Sequence, residues 1–315
     1  PRARYHEGVR MNGTVIAALT AATTLVTVAL AGDAGAPPPQ SVAQVQNALA
    51  QLEPAFDPNK RKVQAKDPGS IEEAIRAHVP TKFHAVAEGA LLPAKAHASC
   101  ASDMALSGGG RFCIDKYEAS VVEEMPDGTK KTHPYWEPLL STHAYIAMSI
   151  PGVVPQAYAS AVEGLAACTN ASKRLCEPVE WRAACGGSNG YAFPYGPNRV
   201  AGKCRDAGKA PMLVFFASSL SKGFDGNQLN DPRLLQVPGT VAKTGASPEC
   251  VTDEGVYDMV GNLDEWTADT NGTFQGGYWL DTSQHGEGCA YRTVAHDFTY
   301  HDYSLGFRCC ADPSP

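Results

Sequence analysis

Apolar residues near the start of the chain form one continuous run. Residues 15–31 carry no charge and end in three small or apolar residues, Ala29, Leu30 and Ala31. An apolar core followed by small residues is typical of a secretory signal peptide. We therefore expect a signal peptide over 1–31 and an exported protein, whether secreted, periplasmic or at the cell surface. The alternative is a retained membrane anchor, because a run of 17 residues lies at the lower limit for a spanning helix.

The segments that follow have helical spacing, but each of them is short. Residues 41–56 carry apolar side chains every three or four positions, and residues 71–78 form a second helix candidate. Segments of this length cannot bury a core of their own. We therefore expect 32–95 to be a weakly ordered linker with short helices, and 96–315 to form the folded domain.

Beyond Cys100 the pattern predicts strands, two helices and long loops. Residues 112–122 have the alternation of a strand, whereas 155–170 and 177–185 place apolar residues on one helical stripe. Residues 186–251 are rich in Gly, Pro and Asn and show no sustained period. So long an irregular stretch needs covalent cross-links, which disulfides can supply.

The charge of the chain excludes one class of partner. The formal net charge is −7 and the isoelectric point is near 5.7. The longest basic run is three residues, Lys60 to Lys62. We therefore expect no nucleic-acid partner.

The cysteines favour disulfides over metal thiolates. All ten lie between Cys100 and Cys310, downstream of the predicted export signal, and no C-x-x-C pair is present. Ten cysteines allow roughly 945 pairings, by extension of the usual count. The pairing cannot be chosen from the cysteine positions alone.

Carboxylates crowd a turn around Gly261 and Asn262. Asp258, Asp264 and Glu265 lie within eight positions of the chain. Like charges at this distance repel, so the side chains either spread into water or surround a cation. A hard cation such as calcium suits carboxylates and turn carbonyls.

Six ordered motifs give the chain a family resemblance. They are RFCIDKYEAS, KRLCEPVEWRAACGG, YAFPYG, GVYDMVGNLDEWTAD, GGYW and YSLGFRC, which together cover about Cys100 to Asp312. In this order they resemble the formylglycine-generating-enzyme domain, also called the sulfatase-modifying-factor domain, in a divergent member. The resemblance implies an α+β, C-type-lectin-like fold that is loop-rich and stabilised by disulfides.

The resemblance also implies a calcium site and a disulfide set. The matching calcium ligands are the side chains of Asp258 and Glu265 and the carbonyls of Gly261 and Leu263. A second calcium site of the family falls within residues 204–240, where the divergence leaves its ligands unplaced. The disulfides that we adopt with the resemblance are Cys100–Cys113, Cys168–Cys309, Cys176–Cys310, Cys185–Cys289 and Cys204–Cys250.

The copper site of the family's oxidases matches this sequence poorly. Those members follow GGS with two cysteines whose thiolates bind Cu(I), a soft ion that prefers sulfur. Here Tyr278 stands at the Ser position and Asp281 at the first Cys position, and Asp264 replaces a Trp. Cys289 is displaced by an insertion and is the one weak catalytic candidate. We therefore expect copper to be absent.

An iron site is a further alternative. His285, His296 and His301 lie near Asp297 and Asp302, and two histidines with one carboxylate bind iron in some enzymes. The related iron enzymes, however, take their ligands from an extra N-terminal helical domain. We therefore interpret these residues as polar loop histidines.

The functional prediction is a binding or divergent non-oxidase role for a calcium-holding domain. The partner is an unknown protein or small ligand, and a membrane is involved only where residues 15–31 are retained as an anchor. The alternative function is a copper-dependent oxidase that converts a sulfatase cysteine to formylglycine. The predicted pocket is lined by Asp264, Trp266, Tyr278, Trp279, Asp281 and Arg292.

Overall fold

The computed structural model describes residues 91, 93–95, 97–219, 221–269 and 271–315. The predicted signal peptide, and the linker as far as residue 90, lie outside the described residues. Among the residues that it does describe, no helix is long and apolar enough to cross a membrane.

Short strands build three small sheets. One sheet has the order β1-β2-β11-β6, the second β10-β7-β8-β9 and the third β4-β3-β5. The pairings are antiparallel except that of β7 with β10. The strands are β1 (Met104–Ser107), β2 (Phe112–Asp115), β3 (Ala119–Glu124), β4 (Lys130–Thr132), β5 (Ala144–Ser149), β6 (Arg174–Leu175), β7 (Asp264–Trp266), β8 (Phe274–Gln275), β9 (Arg292–Thr293), β10 (Leu305–Phe307) and β11 (Cys309–Ala311).

The two predicted helices are present with shifted starts. Helix α1 (Ala161–Asn170) begins six residues later than expected, because Ser160 caps it by accepting hydrogen bonds from the amides of Val162 and Glu163. Helix α2 (Pro178–Gly186) begins with proline in its first turn. The predicted strand 112–122 is divided into β2 and β3.

The predicted irregular stretch contains two short helices. They are α3 (Pro211–Phe216) and α4 (Gly226–Leu229), with short 3-10 turns at Ala217–Ser219 and Leu234–Gln236. Periodicity missed them because neither is longer than two turns.

Three tryptophans anchor three separate regions of the core. Trp266, Trp181 and Trp279 are each fully buried, and each belongs to a different apolar cluster. Every indole N–H has a partner, as buried polar groups require. The acceptors are the Ala159 carbonyl at 3.0 Å, a Glu265 oxygen at 2.7 Å and the Lys209 carbonyl at 2.9 Å, respectively.

All ten cysteines are disulfide-bonded. The pairs are Cys100–Cys113, Cys168–Cys309, Cys176–Cys310, Cys185–Cys289 and Cys204–Cys250, the same five that we adopted with the resemblance. Successive side chains of a strand point to opposite faces. Cys309 therefore joins the Trp266 cluster and Cys310 the Trp181 cluster, so β11 is cross-linked to two cores at once.

The disulfides should differ in what they contribute to stability. Cys168–Cys309 closes a separation of 141 residues, and Cys100–Cys113 one of 13. Chain entropy predicts that replacing both cysteines by serine lowers the free energy of unfolding by about 5 kcal/mol for the long loop and about 3 kcal/mol for the short one. Urea unfolding of the two double variants measures the difference. Equal losses would contradict a chain-entropy origin.

Candidate functional site

A buried ion pair lies beneath the turn at residues 256–263. Arg308 Nε and Nη2 donate to the two carboxylate oxygens of Glu265 at 2.5 and 2.6 Å, and both side chains are almost without exposure. Parallel pairing of β7 with β10 places the two residues together, since Gly306 lies opposite Glu265. The Arg308 guanidinium also donates to the carbonyls of Asp115 and Tyr257 at 3.1 and 3.0 Å.

Two more carboxylates surround this pair. Glu118 accepts from the Leu263 amide at 3.0 Å and from Asn262 Nδ2 at 2.6 Å, and Asp258 accepts from the Gly245 amide at 2.6 Å. Burial, and then the neighbouring carboxylates Asp258 and Glu265, raise the pKa of Glu118 well above its usual range. Burial also raises the pKa of Asp258 to about 6. Three carboxylates therefore share one guanidinium.

Two of the predicted calcium ligands, the side chains of Asp258 and Glu265, lie in this buried cluster. Asp258 and Glu265 both interact electrostatically with Arg308. Gly261 has a φ of +80°, and a Cβ there would lie 2.2 Å from the Arg205 carbonyl oxygen, so only glycine fits the turn. Both Glu265 oxygens already accept from Arg308. Among the described residues, no group of three or more His, Cys, Asp or Glu is arranged to hold a metal ion.

Glu118 was missed by the sequence analysis. It lies three residues beyond β2, within the motif RFCIDKYEAS, and is fully buried. The signal that could have found it is a single carboxylate immediately before the apolar run of β3. A charged side chain that is buried beside a core strand needs a partner that stabilises its charge.

Asp281 holds a loop where the oxidases carry a copper ligand. Its Oδ1 accepts from the amides of Ser283 and Gln284 at 3.0 Å each, and its Oδ2 accepts from the Tyr291 hydroxyl at 3.0 Å. Cys289 is bonded to Cys185. A carboxylate with three donors and an oxidised sulfur do not fit Cu(I), which takes soft thiolates.

Two members of the predicted pocket are core residues. Trp266 and Trp279 are fully buried, so the binding surface that we expected at these rings is interior. The prediction was wrong because an aromatic residue beside a glycine turn gives the same sequence pattern whether it lines a pocket or lies in the core. Tyr278 and Asp281 are half-buried and Arg292 is exposed on β9, and these three remain available to a ligand.

Tyr278, Asp281 and Arg292 are called the rim below. The remaining pocket member, Asp264, is buried behind this rim. Its Oδ1 accepts from the Gly277 amide at 2.9 Å. Burial, and then the charge of Asp302, raise the pKa of Asp264 well above its usual range. Asp302 accepts from the Tyr300 hydroxyl at 2.7 Å, and Tyr278 packs its ring 6.1 Å from that of Tyr303. Carboxylates and tyrosine side chains therefore lie behind the rim residues.

The late histidines do not converge. His296 lies between the rings of Phe274 and Tyr300, with centroids 4.5 and 5.1 Å away. His301 Nδ1 pairs with Asn230 Oδ1 at 2.7 Å, and His285 meets the ring of Tyr291 edge-on. Each histidine therefore has its own partners, as expected for polar histidines in loops.

Comparison with protein-family models gives one match. The Sulfatase-modifying factor enzyme 1-like domain matches residues 147–313, just over half of the chain. The chain belongs to this family. Membership of the sulfatase-modifying-factor family confirms the predicted fold class, an α+β formylglycine-generating-enzyme fold of C-type-lectin-like kind. No curated protein matches the chain.

Solved structures resemble this sulfatase-modifying-factor domain at low identity. The Major Tropism Determinant P3c variant is 18% identical over 70% of this chain and 55% of its own, with a TM-score of 0.38. Treponema denticola variable protein 1 is 15% identical over 44% of this chain and 48% of its own, with a TM-score of 0.29. CarF is 15% identical over 81% and 84%, with a TM-score of 0.27. The chain spans about half the length of the tropism determinant that it matches.

The ion pair of Arg308 should matter far more than a surface pair. Replacing Arg308 by methionine leaves the buried Glu265 carboxylate without its cation, and should lower the free energy of unfolding by about 3–5 kcal/mol. The matched control is Arg233→Met, which breaks an ion pair with Asp231 in which the arginine side chain is 57% exposed; because solvent screens this pair, the loss should be much smaller. Chemical denaturation compares the two. Similar losses would show that burial gives the Arg308 pair no special weight.

Proposed function

We propose that this protein is an exported binding domain of the sulfatase-modifying-factor family that does not oxidise cysteine. One observation carries the proposal: the first copper-binding cysteine position holds Asp281, engaged in three hydrogen bonds, and Cys289, the cysteine near the second position, is bonded to Cys185. Five disulfides fit an oxidising compartment outside the cytoplasm, and this supports export.

The half-buried rim supports the binding role. Tyr278, Asp281 and Arg292 offer a phenol, a carboxylate and a guanidinium on neighbouring segments, a set that recognises polar groups of a small ligand or a protein surface. The Tyr278 ring is supported by Trp279 and Tyr303, with centroids 5.3 and 6.1 Å away. A rim residue held against buried aromatics is preorganised, so a ligand loses little entropy in ordering it.

The alternative is a copper-dependent oxidase of sulfatase cysteines. That chemistry requires two thiolates on one copper ion, and all ten cysteines here are in disulfides. A carboxylate at Asp281 is a hard ligand that Cu(I) binds poorly. The structure therefore favours the binding role.

The oxidase alternative predicts an activity that we expect to be absent. The wild-type protein, loaded with Cu(I), should produce no aldehyde on a sulfatase-type cysteine peptide above the copper-only background. Asp281→Cys should also be inactive, because Cys289 stays bonded to Cys185. Aldehyde capture read by mass spectrometry is the assay. Turnover by the wild type would overturn the non-oxidase proposal and assign the metal to other residues.

We further propose that calcium binds at the turn of residues 258–265. Its ligands are the side chains of Asp258 and Glu265 and the carbonyls of Gly261 and Leu263. The excess of carboxylates over Arg308 supports this site, because a divalent cation would balance the charge that the guanidinium leaves. The ion would fix the turn that carries Glu265 into β7, and its role is structural.

Calcium should therefore raise thermal stability. At a hundredfold excess over the dissociation constant, the free energy of unfolding should rise by about 2.7 kcal/mol. Asp258→Asn should remove this dependence while leaving the Arg308–Glu265 pair intact, and asparagine tolerates the φ of +57° at this position. Asp253→Asn, at an exposed neighbouring carboxylate, is the control and should respond as the wild type does. A melting temperature unchanged by chelation would exclude the site.

A further inference from the structure

Three exposed apolar side chains lie side by side on helix α3. Leu213, Val214 and Phe215 are 47%, 60% and 38% exposed, and they are consecutive. The other large exposed apolar side chains of the described chain are scattered singly: Leu106, Leu140, Tyr191, Val200 and Val294. Single exposed apolar residues are ordinary, whereas three consecutive ones at one short helix form a small apolar feature that a contact surface can use.

The inner side of α3 packs against the core, which leaves the patch on the outer side. Met212 is buried, and Phe216 packs on the cluster that contains Trp279 and Leu234. The chain just before the helix is fixed as well, since the Lys209 amide donates to the Gly239 carbonyl at 2.8 Å. The Arg233 guanidinium lies 4.6 Å from the centre of the Phe215 ring. The three outer side chains therefore stand on a supported helix.

Two lysines and one exposed carboxylate flank the patch in an acidic protein. The carboxylate, Asp225, caps α4 and accepts from the Gln228 amide at 2.9 Å. Lys209 and Lys222 bracket residues 210–221, which carry no charge, while the whole chain has a net charge of −7. Both lysines are exposed, and neither forms an ion pair with any residue that the structure describes. The nearby carboxylate of Asp231 is already paired with Arg233 at 2.5 Å. An apolar strip between two free cations complements a surface that is apolar inside and anionic outside.

We propose that α3 docks on a lipid surface with anionic headgroups. Leu213, Val214 and Phe215 enter the boundary between headgroups and acyl chains, and Lys209 and Lys222 face lipid phosphates. Three partly exposed side chains offer far less apolar area than the roughly 800 Å² that a stable protein interface needs from each partner. A small apolar strip with flanking cations therefore suits reversible membrane contact better than a lasting protein dimer.

Hydrogen exchange of the full chain tests the docking locally. Peptides covering 211–219 should exchange at least tenfold more slowly with vesicles of phosphatidylglycerol and phosphatidylcholine than without vesicles. Pure phosphatidylcholine vesicles should give no such protection, and peptides covering 139–143, which contain exposed Leu140, should not change. A local readout separates α3 from any membrane contact made by residues 15–31.

Two variants and a matched control make the test decisive. Leu213→Ser with Val214→Ser and Phe215→Ser should abolish the protection, and Lys209→Gln with Lys222→Gln should reduce it about tenfold without altering a core residue. Leu140→Ser with Val200→Ser and Val294→Ser removes as many exposed apolar side chains elsewhere, and should bind as the wild type does.

Three results would overturn the proposal. They are no protection on anionic vesicles, equal protection on neutral vesicles, and protection without vesicles that grows with protein concentration. The last result would show that a second copy of the chain covers the patch.

Discussion

The buried pair of Arg308 and Glu265 is the interaction on which the rest of the structure depends. Arg308 lies between β10 and β11, so it stands where the second sheet meets the first. Its guanidinium reaches the carboxylate of β7, the carbonyl that ends β2 and the carbonyl of Tyr257 in the turn. Glu265 in turn accepts from Trp181 of α2. A charged group is costly to bury, and this one is stabilised only because every element around it supplies an acceptor. The turn, both sheets and α2 are therefore mutually dependent.

The segment that matches the family's copper site makes structural contacts in this chain. In place of a thiolate, Asp281 organises a tight loop through two amides and a phenol, and Gly277 allows the approach because a Cβ there would lie 2.2 Å from the Asp281 carbonyl oxygen. Cys289 ties the same loop to α2. The loop holds hydrogen bonds and a disulfide in the segment where an oxidase requires two reduced and accessible sulfurs. The partly exposed residues of the outer edge are Tyr278, Asp281 and Arg292.

Much of this architecture could be predicted from the sequence, and the remaining features could not be predicted for identifiable physical reasons. The helices were predicted because their apolar stripes are long, although the start of α1 depends on the cap at Ser160, which periodicity does not report. The family resemblance placed Asp258 and Glu265 close to one another. It could not show that Arg308, more than forty residues later, occupies the same place, because parallel pairing of β7 and β10 is a property of the fold. Trp266 and Trp279 were assigned to a surface because a sequence gives the apolar character of a residue but not the side from which it is covered.

The adjacent cysteines Cys309 and Cys310 constrain how the chain can be made. Their partners, Cys168 and Cys176, precede them by 141 and 134 residues. During vectorial synthesis or translocation these early thiols emerge long before their mates and must wait unpaired, or in temporary bonds, until the chain has appeared as far as Cys310. Arg308, which pairs with the buried Glu265 carboxylate, is synthesised just before these two cysteines. These two disulfides therefore form only after nearly the whole chain has been made, and thiol–disulfide exchange can correct any earlier pairing.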